Sequence, residues 1–96
     1  VTPIYPRRAQ ERGTQGYALV KFTITESGTV ENVEPVEGFC GDPQNPDTEF
    51  RPCSMFNSAS SRAALKLKYK PKIVDGKAVA VDDVLHRFTF ILAEDD

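Results

Sequence analysis

The sequence has few of the residues from which active sites are commonly built. A nucleophilic mechanism needs a base beside the nucleophile, and the only histidine, His86, lies in a predicted strand among apolar residues. The serines around Ser60 lie in a predicted helix, with no strand-turn-helix elbow to expose a nucleophile. The sequence therefore gives no support to an enzyme, and we expect no catalytic residue and no cofactor.

Two further patterns that resemble sites fail on geometry. Asp82 and Asp83 are neighbours in a predicted strand, so their carboxylates point to opposite faces and cannot converge on one substrate. The segment Gly13-Thr14-Gln15-Gly16 follows a predicted helix, whereas a phosphate-binding loop opens one. Neither pattern predicts a site.

Long apolar runs and an excess of one sign of charge are also missing. No stretch approaches the roughly 18 apolar residues of a membrane-spanning helix, and the start is not typical of a signal peptide. Twelve basic against 14 acidic residues give a net charge of -2, which argues against a nucleic-acid partner. We expect one domain over residues 1–96, and the absence of an initial Met predicts a piece of a longer chain with any anchor upstream.

The two cysteines, Cys40 and Cys53, flank one polar segment, GDPQNPDTEFRP, whose composition is typical of a loop. We predict a disulfide between them and an oxidising compartment, because a redox motif or a zinc site needs closer spacing or more ligands. A reduced pair in a cytosolic protein is one alternative. Another is a calcium site on Asp42, Asp47 and Glu49, although their spacing departs from the EF-hand pattern. We otherwise expect no metal.

The N-terminal half predicts a short helix and a β-hairpin. The segment RRAQER follows a proline that suits the first helical turn, and Gly13 directly after it is a typical helix stop. Together they predict a helix over Arg7–Arg12. From Gly16 apolar and polar residues alternate, which predicts a strand. After a turn at Ser27-Gly28, Val30–Val36 predicts a second strand, and its proline and imperfect alternation are typical of a bulged edge strand.

The C-terminal half predicts a helix, a tight turn and a long strand. Ser54 is the expected N-cap of a helix that runs to about Lys68. Asp75-Gly76 is typical of a two-residue hairpin turn, and a strand is predicted over Val81–Leu92. On this strand His86 is expected to be a packed or half-buried ring. The predicted core consists of Phe22, Ile24, Phe56, Ala63, Leu67, Phe88 and Phe90.

These elements predict an α+β fold, a two-layer sandwich in which two helices pack on a small antiparallel sheet. Such an arrangement leaves the sheet edges and the opposite sheet face open to partners.

Several segments together resemble the C-terminal domain of TonB-type energy transducers. They are Tyr5-Pro6, the hairpin pattern Gly28-x-Val30-x-Asn32-Val33 and the helix exit Leu67-Lys68-Tyr69-Lys70-Pro71, in order and over nearly the whole chain. The sequence departs from the family at Leu67, where an aromatic residue is common, and at Ser60, a usually apolar position. The segment from Cys40 to Cys53 is also longer than the link that typically joins the second strand to the second helix in this family.

The resemblance implies the periplasmic domain of a protein anchored in the bacterial inner membrane and coupled to a proton-driven motor. It also implies docking onto an outer-membrane TonB-dependent transporter, whose N-terminal peptide adds as a strand beside the last long strand of the domain. The partner-binding residues implied on that strand are Val84, Leu85, His86, Arg87, Phe88, Thr89 and Phe90. Those implied beside it are Thr2, Tyr5, Pro6 and Arg8.

The sequence leaves alternatives open for these residues and for the function. Tyr5 and Pro6 also suit a structural role, in which the ring packs at the start of the helix and the proline sets its first turn. The rival function is a TonB-like interaction domain appended to another periplasmic or sensor protein. Dimerisation by exchange of edge strands is a further alternative.

Overall fold

The structure is a computed structural model, and it describes residues 1–92. Over this range the chain forms two helices and six strands, namely α1 (Arg7–Arg12), β1 (Gly16–Ile24), β2 (Val30–Cys40), β3 (Arg51–Pro52), α2 (Asn57–Ala64), β4 (Lys72–Val74), β5 (Lys77–Val79) and β6 (Val81–Phe90). One antiparallel sheet has the order β3-β2-β1-β6, and β4 and β5 form a separate pair. The predicted α+β fold is confirmed.

Strand β1 lies at the centre of the sheet, with β2 on one side and β6 on the other. The predicted alternation is present, because Ala18, Val20 and Phe22 are buried while their neighbours up to Lys21 are half-buried. The alternation breaks at Thr23, which is also buried. Its hydroxyl donates to Asp82 Oδ1 at 2.9 Å, so this buried polar group has a partner.

Strand β2 is longer than predicted and ends at Cys40 instead of Val36. The extra residues are held because Phe39 and Cys40 pair with β3 on their outer side. Its register against β1 shifts twice, between Leu19 and Val20 and between Lys21 and Thr23, which confirms the predicted bulging. Elsewhere β2 has no partner on its outer side among the described residues.

Helix α2 is shorter than the predicted span from Ser54 to Lys68. Its N-cap is Phe56, and Ser54 contributes only its backbone carbonyl, which accepts from Asn57 N–H at 3.1 Å. The prediction of a Ser54 side-chain cap was therefore wrong. After the helix, Tyr69 N–H donates to the carbonyl of Gly28 at 2.9 Å, which holds the chain against the β1–β2 turn.

The last two predicted features differ little from the structure. The turn between β4 and β5 is formed by Asp75 and Gly76, with φ of 51° and 80°, as a two-residue hairpin of this type requires. Strand β6 ends at Phe90 instead of Leu92. Leu92 N–H donates at 2.7 Å to the side-chain oxygen of Gln15, which replaces a further ladder bond.

The hydrophobic core lies between the helices and one face of the sheet. Of the predicted core residues, five are buried and two, Ile24 and Leu67, are partly buried at its margin. Ala9 of α1 and Ala64 of α2 are fully buried, and their small side chains let both helices approach the sheet. The buried members of the predicted core are Phe22, Phe56, Ala63, Phe88 and Phe90.

Candidate functional site

The outer edge of β6, over Val81–Phe90, has no strand beside it in the described part of the chain. Residues Val84–Phe90 pair one by one with Phe22 to Gly16 of β1, without a register shift. On the other side of β6 no strand of residues 1–92 is present. An uncovered edge of this kind offers unpaired N–H and C=O groups to another chain.

The register identifies which peptide groups of β6 point outwards. The carbonyl of Gln15 accepts from Gly41 N–H at 2.8 Å, so this carbonyl points towards β2. Because peptide groups alternate sides along an antiparallel strand, Gly16 and every second residue after it face β6. Their partners on β6 are Val84, His86, Phe88 and Phe90. The residues between these partners therefore direct their peptide groups away from the sheet, and they are Leu85, Arg87 and Thr89.

The side chains beside this edge differ between the two faces of the sheet. Towards the helices, Phe88 and Phe90 are buried, and His86 is half-buried with its ring centroid 4.5 Å from that of Phe88. On the opposite face, Leu85 is 57% exposed. The guanidinium carbon of Arg87 lies 3.7 Å from the centroid of the Tyr17 ring, which places a cation beside the edge.

An aromatic row crosses the helix-free face behind Arg87. The Tyr17 ring stacks on Phe39 at 5.4 Å and meets Phe50 edge-on at 5.3 Å. The pairing of Tyr17 with Phe39 follows from strand register, but no local pattern in the sequence indicates that Phe50 joins them. Sequence reasoning therefore missed this row.

The predicted disulfide is present, with Cys40 and Cys53 joined at a Cα–Cα distance of 5.7 Å. The loop that it closes carries β3, which pairs with β2 at the opposite side of the sheet from β6. The loop thus covers part of the β2 edge and leaves the β6 edge open. Within the loop Asp42 accepts from Gln44 N–H at 2.9 Å, as a turn residue. Residues 1–92 contain no group of three or more His, Cys, Asp or Glu side chains arranged to hold a metal ion.

Tyr5 has the structural role that the sequence left as an alternative. Its ring meets Phe56 at 5.9 Å and Phe90 at 5.6 Å, both edge-on, and its hydroxyl donates to the carbonyl of Thr14. Partial burial raises the pKa of the Tyr5 hydroxyl, because desolvation disfavours the phenolate. The ring also touches the end of β6 through Phe90. Helix α1 has the predicted bounds Arg7–Arg12, Pro6 is its N-cap residue, and the Pro6 carbonyl accepts from Gln10 N–H at 2.9 Å.

The flanking residues are not all brought to the β6 edge. Thr2, Tyr5 and Pro6 line a groove of about 600 Å³ between the N-terminal segment and α2, to which no residue of β6 contributes. Its charged lining residues among the described ones are Arg7, Arg62 and Lys66. Arg8 lies outside the groove, in a hollow beside Cys53, Ser54 and Met55. Tyr5 connects the groove to β6 through its contact with Phe90.

None of the helices described in the structure has the length and apolar character needed to cross a membrane.

Comparison with known proteins identifies the family. The model of the Gram-negative bacterial TonB protein C-terminal family matches residues 1–39. Protein TonB of Pseudomonas aeruginosa is 33% identical over 78 residues, which cover 81% of this chain but only 19% of that protein. The solution NMR structure of the P. aeruginosa TonB CTD superposes with a TM-score of 0.70 at 29% identity, covering 100% of this chain and 84% of the other.

A second solved structure, of the TonB2 protein from Vibrio anguillarum, gives a TM-score of 0.62 at 32% identity. That match covers 98% of this chain and 77% of the other, so it extends beyond the residues that the family model covers. The sequence identity and the shared fold agree, and the chain belongs to the TonB C-terminal domain family.

Proposed function

We propose that this chain is the periplasmic docking domain of an energy transducer. In this proposal it binds the N-terminal peptide of an outer-membrane TonB-dependent transporter by strand addition to β6. The observation that carries the proposal is the uncovered β6 edge in a member of the TonB family. A membrane anchor and the contact with a proton-driven motor would belong to other parts of a longer chain, since this chain spans 19% of the curated relative.

The peptide groups of Leu85, Arg87 and Thr89 supply the main-chain part of the binding. An added strand pairs with these groups whatever its side chains are, which suits a domain that serves several related peptides. Side chains of the peptide that point to the helix-free face would lie beside Leu85 and Arg87. This placement favours a peptide with an apolar residue near the first and a carboxylate near the second.

Strand addition also suits the transmission of force. The added strand would pair with β6, which pairs without interruption over Val84–Phe90 with the central strand β1. A pull along the peptide then loads several parallel ladder bonds at the same time instead of one after another. Because β1 also pairs with β2, the load is spread across the sheet.

Arg8 and Tyr5 have different parts in the proposal. Arg8 is exposed, so we assign it the electrostatic steering of acidic partners towards this end of the domain. Tyr5 supports Phe90 at the end of the binding edge, and its contribution is positioning.

The test is titration of the isotope-labelled domain with N-terminal peptides of transporters from the same organism, followed by amide NMR. We expect the largest shifts in β6 and its neighbour β1. The variants Arg87→Pro and Thr89→Pro remove an outward N–H and should abolish binding. The matched control Thr89→Ala keeps the N–H and should retain most of the binding, whereas Arg87→Ala also removes the guanidinium and should weaken binding only in part. Unchanged β1–β2 amides show that each variant is folded. Equal binding by the proline and alanine variants would disprove strand addition.

A second candidate function is that of an interaction domain appended to another periplasmic or sensor protein. The observation that favours it is the disulfide loop, which adds Phe50 to the helix-free face and departs from the family pattern. Shifts confined to the loop and to Phe39, with β6 silent, would support this candidate and contradict the first.

The β6 edge can also pair with β6 of a second copy of the chain. Dimerisation by this route would occupy the same peptide groups and therefore compete with the transporter peptide. Size-exclusion chromatography with and without saturating peptide tests this competition, since the dimer fraction should fall when peptide is bound.

A further inference from the structure

The near-balanced charge of the whole chain conceals a local excess of positive charge. Residues 66–77, here named the basic segment, read KLKYKPKIVDGK. Five lysines against one aspartate give this segment a charge of +4, so the rest of the chain, which totals -2 with it, carries -6. Such asymmetry is typical of a surface that meets an anionic partner.

The backbone path explains why the lysines project into solvent. Tyr69 is anchored to the β1–β2 turn through Gly28, and its ring lies 6.1 Å from that of Phe22. Leu67 and Tyr69 thus turn towards the core and are half-buried, while the alternate residues turn outwards. The outward residues are Lys66, Lys68, Lys70 and Lys72, and all four are exposed.

Among residues 1–92 these cations form no ion pairs. The salt bridges formed among the described residues involve Arg7 and Lys21, and none includes a lysine of the basic segment. No acidic side chain of the described residues therefore occupies these lysines in place of an external partner.

The β4–β5 hairpin adds exposed apolar side chains to the lysines. Directly paired residues of an antiparallel ladder share a face, and the register pairs Lys72 with Val79 and Val74 with Lys77. This face, here named the lysine–valine face, alternates cations with branched apolar side chains, and Val74 is 43% exposed. The other face carries Ile73, which is 61% exposed, and Ala78.

We infer that the basic segment and the lysine–valine face bind the surface of an anionic lipid bilayer. The lysine ammonium groups pair with lipid phosphates, while their stems and the valines contact the boundary between headgroups and acyl chains. A soluble polyanion satisfies the lysines alone, whereas a bilayer surface accommodates both the cations and the valines between them.

The neighbouring acidic groups limit how the hairpin can lie. Asp75 is at the tip of the turn, which disfavours insertion of the tip and favours a hairpin that lies flat on the surface. Glu26 and Glu31 line a hollow with Ala80 at the base of the hairpin, so the rest of the domain is held off the membrane. The surface does not use the outward peptide groups of β6, and this inference is independent of the proposed function.

The test is co-sedimentation of the domain with vesicles of phosphatidylglycerol and phosphatidylcholine in equal parts, with pure phosphatidylcholine vesicles for comparison. We expect binding to the anionic vesicles alone, weakened when salt is raised to about 0.15 M. Each lysine near an anionic surface raises the partition coefficient onto the vesicles about fivefold. The double variant Lys70→Gln/Lys72→Gln should therefore lower this partition coefficient about 25-fold. The matched control, Arg12→Gln with Arg51→Gln, changes the net charge equally and should retain binding.

The orientation is tested by a second pair of variants. Val74→Ser should weaken vesicle binding, while Ile73→Ser, on the other hairpin face, should leave it nearly unchanged. Equal losses in the lysine and arginine pairs, or equal binding to neutral vesicles, would overturn the inference. If dextran sulfate binds the domain and Val74→Ser leaves vesicle binding unchanged, the surface is a polyanion site and the lipid proposal is wrong.

Discussion

Replacement of Ser60 by alanine is expected to stabilise the domain. Ser60 lies in α2 with no exposed surface, and its hydroxyl has no hydrogen-bond partner among the described residues. A buried hydroxyl without a partner costs about 1 to 3 kcal/mol, because folding removes its bonds to water without replacing them. The position also departs from the family pattern, in which this helix residue is usually apolar.

Two effects contribute to Ser60→Ala, and a control separates them. Alanine is a better helix former than serine by about 0.5 kcal/mol at any interior helix position. Ser61 is the next residue of the same helix, and its hydroxyl is not among the buried groups that lack a partner. Ser61→Ala therefore measures the helix effect alone, and the difference between the two variants measures the cost of the unpaired hydroxyl.

The measurement is urea unfolding of both variants and the parent with the disulfide intact. Ser60→Ala should raise the free energy of unfolding by about 1 kcal/mol or more above Ser61→Ala. For a domain of this size, each 1 kcal/mol corresponds to a rise in Tm of about 4 to 8 °C. If Ser60→Ala is no more stable than Ser61→Ala, the hydroxyl has a partner and the reasoning from burial fails.

Four further predictions concern stability and association. Reduction of the bond between Cys40 and Cys53 should cost about 3 kcal/mol from loop-closure entropy and leave the fold intact, and recovery of two free thiols from oxidised protein would contradict the disulfide. Phe88→Ala should cost about 3 to 5 kcal/mol in urea unfolding, because the ring is buried, and a near-neutral effect would mean that the faces of β6 are reversed. Gly28→Ala should destabilise the domain by more than about 1 kcal/mol, because φ is 87° and a β-carbon would collide with the carbonyl of Tyr69. In the control Gly13→Ala the β-carbon meets open space, so this variant measures the effect of positive φ alone. Arg8→Glu should slow association with transporter peptides in stopped-flow measurements, more at low salt, and an unchanged rate would remove Arg8 from the proposed site.

The elements that the sequence determined by itself are those with a local physical cause. Strict alternation from Gly16 defines β1, and the preference of Asp75-Gly76 for positive φ defines the hairpin turn. With only two cysteines, Cys40 had one possible intramolecular partner. The order of the predicted elements indicated the α+β fold, and the short motifs of the sequence indicated the family.

The remaining features depend on contacts between distant parts of the chain, which no local pattern encodes. After α2 the chain leaves the helical path in tight turns and joins the β1–β2 turn, where Tyr69 bonds to Gly28, about 40 residues earlier in the chain. Strand β2 extends because the disulfide loop returns as β3. Apolar periodicity placed Phe88 and Phe90 on the buried face, yet only strand order shows that no strand of residues 1–92 lies on the other side of β6. The separation of the Thr2–Pro6 groove from that edge is likewise a result of packing. Residues 1–6 precede the first helix, so their position is fixed by tertiary contacts such as that of Tyr5 with Phe56. Periodicity can indicate which face of a helix or strand is buried. Which other element packs beside that helix or strand depends on long-range contacts, and these are not encoded in any local pattern.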